Sequence, residues 1–333
     1  MKTRIFLNLI LLFFMSFNLF AQKKRLTFNS NKIFKIVQFT DMHYSVRREK
    51  SPEVIENIKV ILEAEKPDLI VLTGDIVTGN EENWPTIESW ETLTNLFIKY
   101  KVPYAVVFGN HDDEAQTSRE ELLNYLASRK NCLISDEGGD KVKGIGNYFL
   151  PVYNRDGTSE KLLYFLDSGS YSPAKDKGVD GYDWIGRSQI DWFANTNQSF
   201  LKENKNAQAL MFFHIPLPEY KQAFDNGEFR KGVRMEDECS PDINTGMFAE
   251  MLQQGNVLGT FVGHDHNNNY VAQMYNIALC YGYMSGGNTY RDLPLRGARV
   301  ILLEEGKQGF TTWLRRVDNK ILYKVELPYI EKK

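Results

Sequence analysis

Five histidines occur in this 333-residue chain, His43, His111, His214, His264 and His266, and each follows an apolar run that reads as a strand. The first run ends in Thr40-Asp41-Met42-His43, the second in Thr73-Gly74-Asp75 and the third in Phe108-Gly109-Asn110-His111-Asp112. Later runs deliver His214 and the triplet His264-Asp265-His266. Residues two apart in extended backbone share a face, which pairs Asp41 with His43 and His264 with His266. Carboxylate, imidazole and amide oxygen together suit hard-to-borderline ions such as manganese, iron or zinc. With no thiolate among them, a structural zinc site is not indicated. Asp41, His43, Asp75, Asn110, His214, His264 and His266 are too many ligands for one ion and about right for two ions that share a carboxylate. Asp75 is the natural bridge, because it is the single carboxylate of its segment and follows a glycine that lets the backbone turn sharply.

Two metal ions roughly 3.5–4 Å apart can hold both sides of a phosphoryl group, stabilise the charge of in-line displacement and supply a bound hydroxide near neutral pH. His111 stands next to a ligand and is the candidate to protonate a leaving alkoxide. Asp112, which follows it, is the candidate to fix its tautomer.

Such ligands must be brought together by the elements before them. Residues 33–40, 68–73 and 103–108 read as buried strands. They alternate with helices over residues 52–66, 84–100 and 119–128, a β-α order that argues for a parallel sheet with its functional residues at the carboxyl ends of the strands. In the first helix Val54, Ile55, Ile58, Ile61 and Leu62 fall on one face behind a first-turn proline. The middle of the chain predicts strands at 146–152, 161–166, 209–214 and 257–262 with helices at 187–201 and 242–253. The last third predicts strands at 270–275, 277–281, 298–303 and 310–315. Residues 171–184 and 220–241 read as long polar loops suited to a pocket rim. No internal repeat or low-complexity linker interrupts the pattern, so residues 22–333 are expected to form one catalytic domain.

Composition sets the outer bounds. With 42% hydrophobic and 25% charged residues the chain has material for a large core, and a net charge of −3 gives no reason to expect a nucleic-acid partner. Cys132, Cys239 and Cys280 form no CxxC pair and are expected to be ordinary small side chains. Lys2 and Arg4, an apolar run from Ile5 to Phe20, and Ala21 follow the order of a secretory signal over residues 1–21. Export to the periplasm or the extracellular space is therefore expected, with an uncleaved membrane anchor as the alternative and no span in the mature chain.

The segments Asp41-x-His43, Gly74-Asp75, Gly109-Asn110-His111-Asp112, His214 and Gly263-His264-x-His266 resemble, in order and spacing, the calcineurin-like metallophosphoesterases. The stretches VVFGNHDDE, YFLDSGSY, YDWIGRSQIDWF, FFHIPLPEY, KGVRMEDE and FVGHDHNN look like its purple-acid-phosphatase-related branch, in the short single-domain form. The resemblance implies a four-layer α/β/β/α sandwich with a dinuclear centre between the sheets. It implies one ion on Asp41, His43 and His266 and a second on Asn110, His214 and His264, with Asp75 bridging and His111 as general acid. It implies hydrolysis of phosphate esters, small or protein-borne. Monoesters are the leading class, a phosphodiesterase is the alternative, and a metal-dependent binding protein is a third reading. The chain departs from the purple enzymes at Thr78, where they carry a tyrosine ligand, and at His43, where they carry glycine. That departure predicts a protein without the purple tyrosinate–iron colour.

Other polar residues are ambiguous in sequence. Asp113 and Glu114 read chiefly as acids of a helix's first turn, and Asp265, between two ligands, as solvated or merely supporting. Asp167-Ser168-Gly169 could border the cleft, and Lys231 and Arg234 could meet a substrate phosphate. Tyr171, Tyr182 and Trp184 could wall the substrate or pack their loop.

Overall fold

The computed structural model describes residues 25–78, 85–114, 117–287, 289 and 296–330. The signal-like segment 1–21 lies outside them. The chain order is β1 (Leu26–Thr27), β2 (Ile33–Phe39), α1 (Ser51–Glu65), β3 (Leu69–Thr73), α2 (Thr86–Tyr100), β4 (Tyr104–Val107) and α3 (Arg119–Ser128). It continues with β5 (Tyr148–Tyr153), β6 (Ser159–Phe165), α4 (Arg187–Glu203), β7 (Gln208–Phe212), α5 (Glu219–Asn226), β8 (Phe229–Lys231), α6 (Met247–Gln254) and β9 (Val257–Val262). The strands β10 (Val271–Met274), β11 (Ile277–Tyr281), β12 (Gly297–Glu304), β13 (Phe310–Arg316) and β14 (Ile321–Leu327) complete it.

The strands form two sheets, one ordered β14-β13-β12-β2-β3-β4 and the other β1-β5-β6-β7-β9-β11-β10-β8. Side-chain alternation decides what lies between and outside them. Along β6, Leu163 and Phe165 enter the core shared by the two sheets, whereas Leu162 and Tyr164 enter a second core under α4, α5 and α6. The first core also takes in Val54, Ile58 and Ile61 of α1 and Leu93 and Phe97 of α2. Helices therefore cover the outer face of each sheet, giving four layers, α/β/β/α.

Aromatic rings knit the middle of the sandwich. Tyr148, Phe165, Phe212 and Phe261 stack across β5, β6, β7 and β9 with centroids 4.6, 5.2 and 5.1 Å apart, and Phe310 of the other sheet closes the row at 5.6 Å. Contacts of this type contribute about 0.5–1.5 kcal/mol each beyond simple burial. The Tyr148 hydroxyl donates to Val106 O and accepts from Val106 N, bracing the row against β4.

Parallel pairing runs β2-β3-β4 in one sheet and β6-β7-β9-β11 in the other. The carboxyl ends of β2, β3, β4, β7 and β9 open onto one crevice, the place where strand-end loops of an open α/β sheet converge. Gln38, fully buried, ties the two sheets beneath it, its Nε2 donating to Thr73 Oγ1 at 2.9 Å and to Val262 O at 3.0 Å.

Two expectations need correction. The stretch 220–241 is not all loop, since it opens inside α5 and contains β8. The other is the end of the last third, which adds the strand β14; it lies on a sheet edge and most of its side chains are at least partly exposed, so no clean apolar alternation marks it.

Candidate dinuclear metal centre

Within a few ångströms of the strand ends the backbone bends into conformations that L-residues avoid. Asp41, His43, Asp75 and His264 have φ of 51°, 44°, 51° and 79°, a left-handed geometry sustained only where surroundings enforce it. A side chain on Gly74 would strike the His214 ring, and one on Gly109 would strike the Asp75 carboxylate. Both positions must be glycine for the loops to close on each other.

The loops are held together by Asp112, which is fully buried. Its Oδ2 accepts from Asp75 N at 2.9 Å and Gly109 N at 2.7 Å, and its Oδ1 from Ile76 N and Val77 N, both at 3.0 Å. The expectation that Asp112 fixes the His111 tautomer is thereby corrected. Its carboxylate is turned into the backbone, as befits a buried charge that must be satisfied. His111 Nδ1 instead faces Glu114 Oε2 at 2.6 Å. Nor is Glu114 an acid of a helix's first turn, because α3 begins only at Arg119. Its i+3 spacing from His111 was the available signal.

The side chains converge in two groups. Ligand atoms of Asp41, His43, Asp75 and His266 lie within 4.8 Å of one another, and so do those of Asp75, His214 and His264. Asp75 belongs to both. His43 Nε2 and His266 Nε2 face each other at 3.2 Å, and His214 Nε2 and His264 Nδ1 at 3.3 Å. His214 Nδ1 lies 2.8 Å from Thr73 O, which orients the ring with Nε2 towards Asp75. Asn110 is buried, and among the described residues its Oδ1 meets no donor and His264 Nε2 meets no partner.

Electrostatics follow from burial. Burial pushes the Asp41 carboxyl up to about 7, the His214 charge only partly offsetting it. Burial also pulls His43 down to about 3 and holds His264 well below its ordinary range. For His214 burial opposes charging, yet the Asp75 carboxylate raises it to about 9. Burial opposes ionisation of Asp75 too, but His214 holds its carboxyl well below the usual range. A buried carboxyl driven towards neutrality, opposed imidazole nitrogens and an amide oxygen without a donor are groups that a cation completes. The donor set fits two ions.

A family model for the calcineurin-like phosphoesterase matches residues 34–268. The chain belongs to that family. It is 34% identical over 345 residues to "Probable inactive purple acid phosphatase 29" of Arabidopsis thaliana, spanning 91% of this chain and 87% of that protein. It is 30% identical over 322 residues to Phosphatase DCR2 of Saccharomyces cerevisiae, spanning 85% of this chain and 53% of that protein. Among solved structures, a dimetal phosphatase from Danio rerio shares the fold, with a TM-score of 0.62 at 13% identity over 89% of this chain and 99% of that one. The family uses a dinuclear metal centre, and clustered Asp and His side chains stand ready here as ligands. A phosphate ester is the family's substrate class. Among the described residues no helix is long and apolar enough to cross a membrane.

The remaining polar candidates sort themselves by contact. Asp265 is buried rather than solvated, accepting from the Tyr281 hydroxyl and from Cys239 N. Asp167 receives Arg119, whose guanidinium also donates to Gly109 O at 2.7 Å and pairs with Asp113 at 3.0 Å. Lys231 is exposed and donates to Lys324 O at 3.1 Å, and Arg234 pairs with Asp225, Asp237 and Glu238. Tyr182 sets its ring against His264 at 4.3 Å, and Tyr171 stacks on Tyr182 at 6.0 Å, forming a wall beside the ligands. Trp184 packs its loop under Lys143. All three cysteines are free thiols.

Proposed function

We propose that the chain is an exported hydrolase of phosphate monoesters with two ions at this centre. One observation carries the reading. Asp75 Oδ2 lies 3.2 Å from His214 Nε2 and 3.8 Å from His43 Nε2, so a single carboxylate oxygen serves both ligand groups. Asp41, His43 and His266 would hold one ion with it, and Asn110, His214 and His264 the other; manganese, iron and zinc all suit these donors. Such ions, when bound, neutralise phosphoryl charge and make water a better nucleophile.

The chain's own residues supply the rest. The glycine-paired loops stapled by Asp112 hold the ligands in place before any substrate arrives. His111 is outside both ligand groups, with its side chain 31% exposed. From there it protonates the leaving oxygen, a contribution of roughly 10²–10⁴-fold in rate. Tyr171 and Tyr182 border the space next to the ligands, where the organic part of the ester would lie. The charged head, apolar middle and Ala21 of the N-terminal segment support export.

The diesterase reading has one observation in its favour. An open pocket of about 440 Å³ beside Asn110 is lined by Asp113, Glu114, Ser170 and Tyr171, with room for a second ester group and no cation among these residues to cap a terminal phosphate oxygen. Protein loaded with manganese, iron or zinc should be assayed side by side on mono- and bis-aryl phosphates. Faster turnover of the bis-ester would replace the monoester reading. No turnover of either above an Asp75→Asn control, with two ions bound, would leave a metal-dependent binding protein.

A further inference from the structure

Resting on the reading of His111 as the proton donor, we infer that Glu114 and Tyr171 form a positioning chain that commits His111 to the leaving group. Glu114 faces a different partner with each oxygen, an ion pair on one side and a hydrogen bond on the other. Oε2 lies 2.6 Å from His111 Nδ1, and Oε1 accepts from the Tyr171 hydroxyl at 2.9 Å. Tyr171 is in turn stacked on Tyr182, which abuts the ligand His264. The carboxylate therefore cannot swing away from the imidazole without giving up the tyrosine. A carboxylate on Nδ1–H leaves Nε2 as the nitrogen that carries the transferable proton. Asn110, Glu114 and Tyr171 line the same open pocket of about 440 Å³, so the chain runs along the wall against which a leaving group would rest.

The step balances simply. Water attacks phosphorus, forming the new P–O bond and releasing one proton to solvent, and the bond from phosphorus to the leaving oxygen breaks with its electron pair staying on that oxygen. The oxygen takes the proton from His111 Nε2 and departs as the alcohol. The neutral imidazole keeps its Nδ1–H on Glu114 and regains a proton from solvent. Glu114 touches neither substrate nor ion in this scheme. Its role is to hold the donor, which matters only when the leaving oxygen needs a proton.

That dependence supplies the test. A nitrophenolate leaves without help, whereas an alkoxide does not. For Glu114→Ala in the metal-loaded full chain, the ratio of kcat/KM on glycerol 2-phosphate to that on p-nitrophenyl phosphate should fall by about 10–100-fold. The loss should lie in kcat rather than KM. Glu114→Gln, which retains an acceptor for Nδ1–H, should recover part of the ratio, and Tyr171→Phe should lower it by about 3-fold. In a His111→Ala background Glu114→Ala should change the ratio no further, as befits residues acting as a unit. An equal fall on both substrates, or additive effects with His111→Ala, would overturn the inference in favour of a merely structural role. Wild-type protein inert towards both substrates would instead defeat the phosphatase reading itself. Unchanged metal content and thermal midpoint identify variants that have kept their fold.

Discussion

Two buried carboxylates lie at opposite ends of β2 and are treated in opposite ways. At the amino end, Glu65 is completed by the protein: Trp313 Nε1 donates at 3.0 Å, Arg315 Nε at 2.6 Å and Lys35 Nζ at 3.2 Å. At the carboxyl end, Asp41 meets the backbone N–H of His264 and the ring of His266 at 3.8 Å, and among the described residues no lysine or arginine pairs with it. The contrast shows in their acidity. Burial pushes Glu65 up, but Trp313, Arg315 and Lys35 together leave its carboxyl below the ordinary value, whereas burial carries Asp41 up to about 7. The chain surrounds a buried carboxylate with donors where it needs only stability. It leaves one unfinished where a cation is to come.

The comparison can be broken most sharply by exchanging the fates of the two ends. Asp75→Asn should lower kcat at least about 10³-fold and reduce the bound metal, as expected when both ions lose a shared ligand; Glu65→Gln should retain wild-type turnover at 25 °C. Equal losses of activity in the two variants would erase the distinction. Stability should show the reverse order. Glu65→Gln removes one partner of a buried pair and should cost about 3 kcal/mol in denaturant unfolding of the metal-loaded protein. Stripping metal from wild type should lower stability through the other end, by about 2.7 kcal/mol for each ion relative to protein held at 100 times its dissociation constant. Glu65→Gln should show the same increment.

Acid sharpens the comparison further. Because the Glu65 pKa is lowered on folding, its contribution is complete above the unfolded carboxylate value, 4.5, and disappears as the pH falls through the lower folded value. The stability gap between wild type and Glu65→Gln should therefore be constant from pH 6 to 8 and narrow below about pH 4. A gap that widens in acid would reverse the sign of this account. The smallest expected signal concerns Thr78, which is buried at the position where purple enzymes carry a tyrosine ligand. Iron-loaded protein should lack an intense visible tyrosinate band, and a strong band would show another tyrosine reaching the centre.

The ligands were legible because each stands at the end of an apolar run, and five such runs in order leave few ways to fold. Helix α3 and strands β9 and β11 fall on the residues expected for them. What escaped was direction. The i+3 spacing of Glu114 from His111 permits their contact, but nothing in Asn110-His111-Asp112-Asp113-Glu114 says that Asp112 turns inward to four backbone amides. That choice is made by the approach of the β3 loop, far away in sequence. Arg234 is paired with Asp237 and Glu238, three and four residues on, and with Asp225, so its partners lie in its own stretch of sequence. Helix α5, only eight residues long and followed by the short strand β8, carries too brief a pattern to stand out from the polar residues around it.

The Asp112 staple has a kinetic corollary. Four amide hydrogens from the β3 and β4 loops close on a single carboxylate, and all four are protein groups. The ligand cage is thus assembled during folding and does not wait for its ions. Metal uptake by the folded protein should accordingly proceed at the pace of ion entry, in one phase proportional to ion concentration, with no slow step of chain rearrangement behind it.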